Sequence, residues 1–197
     1  MPSMPLALPG AQLTFDPHWL DAAAARSLFD ALMLQVPWET HRIRIYGRLV
    51  DSPRLSCWIG DPDAVYTFSG TRFVPHDWPA ALRPVRERLN RELGADFNSV
   101  LANLYRNGAD SMGWHSDSEA ELGPQPFIAS LSLGATRRFA LKNRRDPERK
   151  LALDLAPGSL LTMAGDTQTN YRHALPRTAK PVGARINLTF RRILAPR

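Results

Sequence analysis

The second half of this 197-residue chain constrains the fold most. From Asn98 onward it breaks into short extended segments separated by turn residues. They run from Val100 to Tyr105, Phe127 to Leu133, Arg138 to Leu141, Lys150 to Leu155, Ser159 to Met163, Tyr171 to Leu175 and Ala184 to Ile193. Strands this short and this closely spaced predict an antiparallel double-sheet jelly roll, whose mouth can hold a metal between the sheets.

The first half supplies helices to cover one sheet, so the expected class is α+β, a double-stranded β-helix core with N-terminal helices packed on one face. Residues 1–13, with three prolines, a glycine and no periodicity, read as a flexible arm. Asp16-Pro17 resembles a helix start, and Leu20, Ala23, Ala24, Leu28, Ala31 and Leu32 keep helical spacing to about Gln35, before Pro37. A second amphipathic helix is expected from Trp78 to Leu93, closed by Gly94. Between them lie His41 to Val50, a strand with Arg42, Arg44 and Tyr46 on one face and a turn at Gly47, then Leu55 to Ile59 and Val65 to Phe73. Tyr66 and Phe68 share a face and could stack on a base or fill the core. Residues 14–197 are expected to be one folded unit, with 98–197 as its jelly-roll core.

A hydrophobic content of 44% and a charged content of 22% suit a soluble globular protein. The net charge of +6, carried mostly by arginine, suits a polyanionic partner such as nucleic acid, though an arginine-rich composition gives the same balance without one. One cysteine, Cys57, excludes an internal disulfide and a Cys-rich metal site. No apolar run is long enough to span a membrane, and the N-terminal stretch is a poor signal or transit peptide. The expectation is an intracellular monomer.

Two patterns carry chemistry. In His115-Ser116-Asp117, residues two apart on extended backbone point to the same side, presenting an imidazole and a carboxylate together. With His173 folded beside them they form the two-histidine, one-carboxylate facial triad of non-haem Fe(II) oxygenases. In Arg185-Ile186-Asn187-Leu188-Thr189-Phe190-Arg191 every odd residue is polar and every even one apolar. That is either a surface strand with a wet side or a clamp for a small dicarboxylate, since guanidinium forks bind carboxylates bidentately. Asn103 and Tyr105 repeat the spacing. One face is thus expected to carry all nine of these residues, with 2-oxoglutarate as co-substrate.

Taken together, N-x-Y, H-x-D, the later His and R-x-N-x-T-x-R resemble the AlkB family of Fe(II)/2-oxoglutarate-dependent nucleic-acid dealkylases. PFIASLSLGATRRF, PGSLLTMAGDTQTNYRHALP, RINLTFRRI, HRIRIYGRLVDSPR and YTFSG resemble in particular the branch of the eukaryotic DNA-repair demethylases. The resemblance implies iron on His115, Asp117 and His173. It implies Arg185 on the distal carboxylate of 2-oxoglutarate beside Tyr105, with Arg191, Asn103 and Asn187 steadying its other end or the metal surroundings and Thr189 counted with them among the cofactor-binding residues. Residues 14–97 would include nucleotide-recognition lid strands. There Tyr66, Phe68 and Ser69 would face the substrate, Phe68 stacking on the flipped base opposite His115. Tyr46 would fill the gap left in the duplex, and Arg54 lies where that family places a substrate-side basic residue. The position after Asp117, acidic in that branch, is Ser118 here, with Glu119 next as the candidate carboxylate toward a cationic base.

The implied reaction is oxidative demethylation of 1-methyladenine and 3-methylcytosine in DNA, using Fe(II), O2 and 2-oxoglutarate and releasing formaldehyde and succinate. The same chemistry on RNA or another macromolecule, or a non-catalytic nucleic-acid-binding module, are the alternatives. The stretch LKNRRDPERK is a solvated hairpin or, beside such a mouth, a phosphate grip, as are Arg177 and Lys180.

Overall fold

Alternation along the strands decides the architecture. The computed structural model describes residues 3–45, 48–68 and 71–194. In chain order it contains β1 (Met4–Pro5), β2 (Gln12–Asp16), α1 (Ala22–Gln35), β3 (Arg42–Ile45), β4 (Arg48–Asp51), β5 (Leu55–Gly60), β6 (Tyr66–Phe68), β7 (Thr71–Phe73) and α2 (Arg83–Leu93). There follow β8 (Ser99–Tyr105), β9 (Met112–His115), β10 (Ile128–Gly134), β11 (Arg137–Asn143), β12 (Lys150–Leu155), β13 (Leu160–Ala164), α3 (Thr167–Asn170), β14 (Tyr171–Leu175) and β15 (Arg185–Arg191). A seven-stranded sheet has the order β1-β2-β13-β10-β15-β8-β5, and a four-stranded sheet the order β12-β11-β14-β9. The pairings within both sheets are antiparallel, as the closely spaced strands predict. Two hairpins, β3-β4 and β6-β7, stand apart from them.

In β15, Ile186, Leu188 and Phe190 are fully buried on one side of the large sheet. They pack with Ala102 and Leu104 of β8, Leu131 of β10, Ala25, Leu28 and Leu32 of α1, and Leu89 of α2. The helices therefore cover one face of the large sheet. A second cluster joins Leu13, Ile128, Leu161 and Met163 to Phe139, Leu141 and Tyr171, closing the space between the two sheets. A buried aliphatic or aromatic side chain contributes about 1.5–3 kcal/mol. The even residues of β15 thus anchor the odd ones, which face the inter-sheet cleft.

The chain start differs from the expected arm. Met4 and Pro5 pair with Phe15 and Thr14, and β2 in turn pairs with β13. Leu8 is buried, the Tyr171 hydroxyl donates to the Pro9 carbonyl and the Asn170 amide to the Gly10 carbonyl. Prolines interrupt this segment without preventing it from serving as a sheet edge, where missing N–H groups cost least. The expected helix start at Asp16 moves for the same reason, because Asp16 is paired with Leu160 in the sheet. Its carboxylate accepts from the nearby His18 N–H, while Asp21 is the true cap, accepting from the Ala24 N–H. The second helix starts at Arg83 rather than Trp78, whose indole donates to Asp61, and ends at Gly94 (φ 59°) as expected.

The stretch from His41 to Val50, expected as a strand with a turn at Gly47, forms a hairpin in which β3 pairs with β4, and Tyr46 and Gly47 lie outside the described residues. The large sheet also ignores the boundary expected near residue 98, drawing β1, β2 and β5 from the first half of the chain.

Candidate active site

The cleft between the sheets is lined by Asn103, Tyr105, His115, Asp117, His173, Arg185, Asn187, Thr189 and Arg191, together with Ser130 and several apolar side chains. All nine residues that the sequence assigns to one face are therefore brought together. On the large sheet the register does this directly. Asn103 lies opposite Asn187 and Tyr105 opposite Arg185, while Ser132 and Ser130 of β10 lie opposite Asn187 and Thr189.

Arg185 is 1% exposed. Its Nη2 donates to Ser132 Oγ at 2.9 Å and to Asn187 Oδ1 at 2.7 Å, and its guanidinium carbon lies 5.4 Å from the Tyr105 ring centre. Among the described residues its Nε and Nη1 have no hydrogen-bond partner and no carboxylate is in ion-pair range of it. Burial pushes its pKa down to about 10, with Tyr105 opposing and Arg137 adding to the shift. A buried cation with two unsatisfied donors is costly by itself and fits an incoming carboxylate. The Asn187 amide donates onward to Thr189 Oγ1 at 2.8 Å, fixing the order of this polar row.

On the other sheet, His173 of β14 is the direct cross-strand partner of His115 at the end of β9, and their rings lie 4.2 Å apart edge to face. Between His173 and Leu175 the pairing slips by one residue, a bulge of the kind that re-aims side chains beside active sites. His115 Nδ1 is 2.8 Å from the Gly113 carbonyl. A carbonyl can only accept, so Nδ1 carries the proton and Nε2 keeps its lone pair. Nε2 lies 3.8 Å from Asp117 Oδ1. One ligand atom from each of His115, Asp117 and His173 falls within 4.8 Å of the others.

Asp117 has left the strand, and three contacts hold its segment. Its N–H donates to Gln168 Oε1 at 3.0 Å, the Ser116 hydroxyl donates to the Tyr171 carbonyl at 2.7 Å, and Arg144 donates to Ser116 Oγ at 2.8 Å. Burial alone would raise the Asp117 carboxyl. The Arg191 guanidinium, 3.0 Å away, and then the two histidines outweigh burial and hold it below the usual carboxylate range. Burial pushes His173 down to about 3, with His115 adding to the shift and Asp117 opposing it. Its imidazole is therefore neutral at ordinary pH, the state a metal ligand requires.

The remaining expected residues are placed differently. Arg54 is 8% exposed and does not line the cleft: its Nε donates to Asn103 Oδ1 at 2.6 Å and its Nη1 to Ser52 Oγ at 3.1 Å. Where a substrate-side residue was expected, Arg54 is buried and braces Asn103. Glu119 is half-buried before a short 3-10 turn at Ala120–Leu122 and lines no part of the cleft. Tyr66 and Phe68 lie in the β6-β7 hairpin, with Tyr66 opposite Phe73 and Phe68 opposite Thr71. Tyr46 and Ser69 lie outside the described residues.

Sequence reasoning missed Gln168, Arg137, Ser130 and Ser132. The serines alternate in IASLSLG and were legible as inward positions. Arg137 is 3% exposed and donates to the Asn107, Asp110 and Pro176 carbonyls, tying the loops after β8 and β14. Neither it nor Gln168 carries a local signal.

The comparisons agree with this geometry. Residues 12–191 match the family model described as the 2OG-Fe(II) oxygenase superfamily. The chain is 38% identical over 182 residues to the human DNA oxidative demethylase ALKBH2, covering 87% of this chain and 70% of the relative. It is 37% identical over 186 residues to the human alpha-ketoglutarate-dependent dioxygenase alkB homolog 3, covering 90% of this chain and 64% of the relative. The chain thus spans just under two thirds of that relative's length. The solved structure of OsALKBH1 superposes with a TM-score of 0.62 at 17% identity, covering 97% of this chain and all of that one, which supports the jelly-roll fold. The cofactors of the family, Fe(II) and 2-oxoglutarate, fit the cleft: three clustered ligand atoms for the metal, and a buried arginine with two unsatisfied donors for a carboxylate. This chain belongs to the 2OG-Fe(II) oxygenase superfamily, in the group of the AlkB homologues.

Proposed function

We propose that the protein oxidatively demethylates N-alkylated bases in DNA, with 1-methyladenine and 3-methylcytosine as its lesions and formaldehyde and succinate as products. The observation that carries the oxygenase chemistry is the placement of the His115, Asp117 and His173 ligand atoms in the same cleft as the anion-seeking Arg185. DNA as substrate is supported by the activity named for the relatives and by the chain's net charge of +6.

Fe(II) on the triad, with O2 and 2-oxoglutarate, would supply hydroxylation of the N-methyl group, which then leaves as formaldehyde while 2-oxoglutarate becomes succinate and CO2. The chain's own groups set the conditions. Arg185 gives one carboxylate of 2-oxoglutarate a charge-assisted partner, and Tyr105, Asn187 and Ser132 keep that arginine in place. Arg54 holds the Asn103 carbonyl oxygen, leaving the Asn103 amide N–H groups to face the cleft. Arg191 keeps Asp117 ionised, and burial keeps His173 neutral, so neither ligand must shed a proton first. A base reaching this cleft from a nucleic acid must leave its stack, at a cost of about a few kcal/mol that is smaller for a methylated base unable to pair.

The test is anaerobic loading with Fe(II), then addition of air, 2-oxoglutarate and an oligodeoxynucleotide bearing 1-methyladenine or 3-methylcytosine. Mass spectrometry should show loss of one methyl group, dependent on every component, with succinate formed alongside. Succinate without demethylation would move the substrate elsewhere, with the matched RNA oligomer tried next. Formation of neither product would overturn the oxygenase reading of this chain.

A further inference from the structure

The four-stranded sheet turns His115 and His173 toward the cleft, and its outer face has no part in the reaction above. Across three neighbouring strands of that face the register sets Lys150 opposite Lys142 and Lys142 opposite Arg172. Like charges directly opposite each other in a sheet repel. A row of three is a pattern that sheet stability alone disfavours. Among the described residues neither Lys142 nor Arg172 has a carboxylate in ion-pair range, and Lys150 has only the exposed Glu148 at 3.6 Å.

Next to the ligand His115, on the edge strand β9, Trp114 is 44% exposed. The Lys142 ammonium sits 4.2 Å from its ring centre. Arg144 continues the cationic line from the end of β11 to Ser116, between the ligands His115 and Asp117. Charge and aromatic surface therefore meet at the rim of the cleft. A basic path with an exposed aromatic beside it is how single-stranded nucleic acid is held: phosphates lie along the charges and a base stacks on the ring. An acidic peptide would use the cations but would leave the indole without a role.

Resting on the nucleic-acid reading above, we infer that this outer face is a track for single-stranded nucleic acid. Trp114 stacks a base neighbouring the one in the cleft, and Lys142, Arg172, Lys150 and Arg144 take the phosphates. The track reads backbone and base planes, so it is indifferent to the lesion.

The test measures binding of a short fluorescent oligothymidylate to the full chain across a salt series. Trp114→Ala should weaken binding about 10-fold, and Trp114→Phe should recover most of the loss, because any aromatic face stacks. Lys142→Ala and Arg172→Ala should each lower the slope of log affinity against log salt by about 0.7, one phosphate contact on a single strand. Arg138→Ala, on the same sheet but paired with Asp154, should leave affinity and slope unchanged. Thermal melting checks that each variant is folded. Binding and slope unaltered in Trp114→Ala, Lys142→Ala and Arg172→Ala, or equal weakening by Trp114→Phe and Trp114→Ala, would overturn the track. So would polyglutamate competing as well as the oligonucleotide. Demethylation of a methylated oligomer by the unaltered protein, measured in parallel, reports on the function itself. If demethylation occurs and these variants bind normally, only the track is wrong.

Discussion

The two sheets bring their halves of the cleft together in different ways. On the large sheet the polar groups sit on straight, paired strands, Arg185 to Arg191 against Ser99 to Tyr105, in strict alternation with a buried apolar face. On the small sheet the three clustered side chains that could hold a metal come from the end of a bulged edge strand, from a residue beyond that strand, and from the neighbouring strand. The first half is held by a continuous ladder of strand pairing. The second is held by individual contacts from Gln168, Tyr171 and Arg144. The two buried arginines at the ends of β15 show the same contrast, since Arg191 is paired with Asp117 and Arg185 has no carboxylate among the described residues.

The largest expected effect is at Asp117. Asp117→Ala should lower turnover to about a thousandth of its starting value or less, since the metal loses an anionic ligand. Binding of an unmodified oligonucleotide should remain, and an equal loss of both would count against the metal role.

The arginines should then respond in opposite senses. In metal-free protein without 2-oxoglutarate, Arg191→Met should cost about 3–5 kcal/mol, because it strands the buried Asp117 charge. Arg185→Met should stabilise the same protein by about 1–3 kcal/mol while raising the KM for 2-oxoglutarate about 100-fold. Urea unfolding and succinate assays read these two quantities. Destabilisation by both would erase the proposed contrast.

A smaller effect is expected at Gln168. Gln168→Leu removes the acceptor of the Asp117 N–H and should weaken Fe(II) affinity about 10-fold, with Gln168→Glu, which keeps an acceptor oxygen, closer to the original. Anaerobic metal titration decides it, and unchanged affinity would mean Asp117 is held by other contacts.

The smallest effect is the pH dependence of the metal-free protein. His173 is pushed below its ordinary 6.5 to about 3, so between these values the unfolded chain holds a proton the folded one refuses. Stability from this group is complete above pH 6.5 and falls as pH drops through that window. Asp117 acts lower, its contribution present above its ordinary 3.8 and lost as pH falls below. His173→Gln should flatten the decline between pH 7 and 5 in urea titrations, and an unaltered slope would place the titrating group elsewhere.

The sequence by itself determined the regular half. Strand alternation put Arg185, Asn187, Thr189 and Arg191 on one face because the side-chain period of a strand is two and its apolar positions must be buried. It also pointed to His115, Asp117 and His173, which the structure brings together, from a two-residue spacing and a resemblance. It did not disclose β9, since Gly113 and the bulge break the alternation there. Nor did it show that Arg54 turns inward to Asn103, that Asp21 rather than Asp16 caps the first helix, or that the first residues close a sheet edge. Gln168 reaches Asp117 from 51 positions away in the chain. Such contacts depend on which strand lies beside which, and that was settled only when the two sheets buried their shared core.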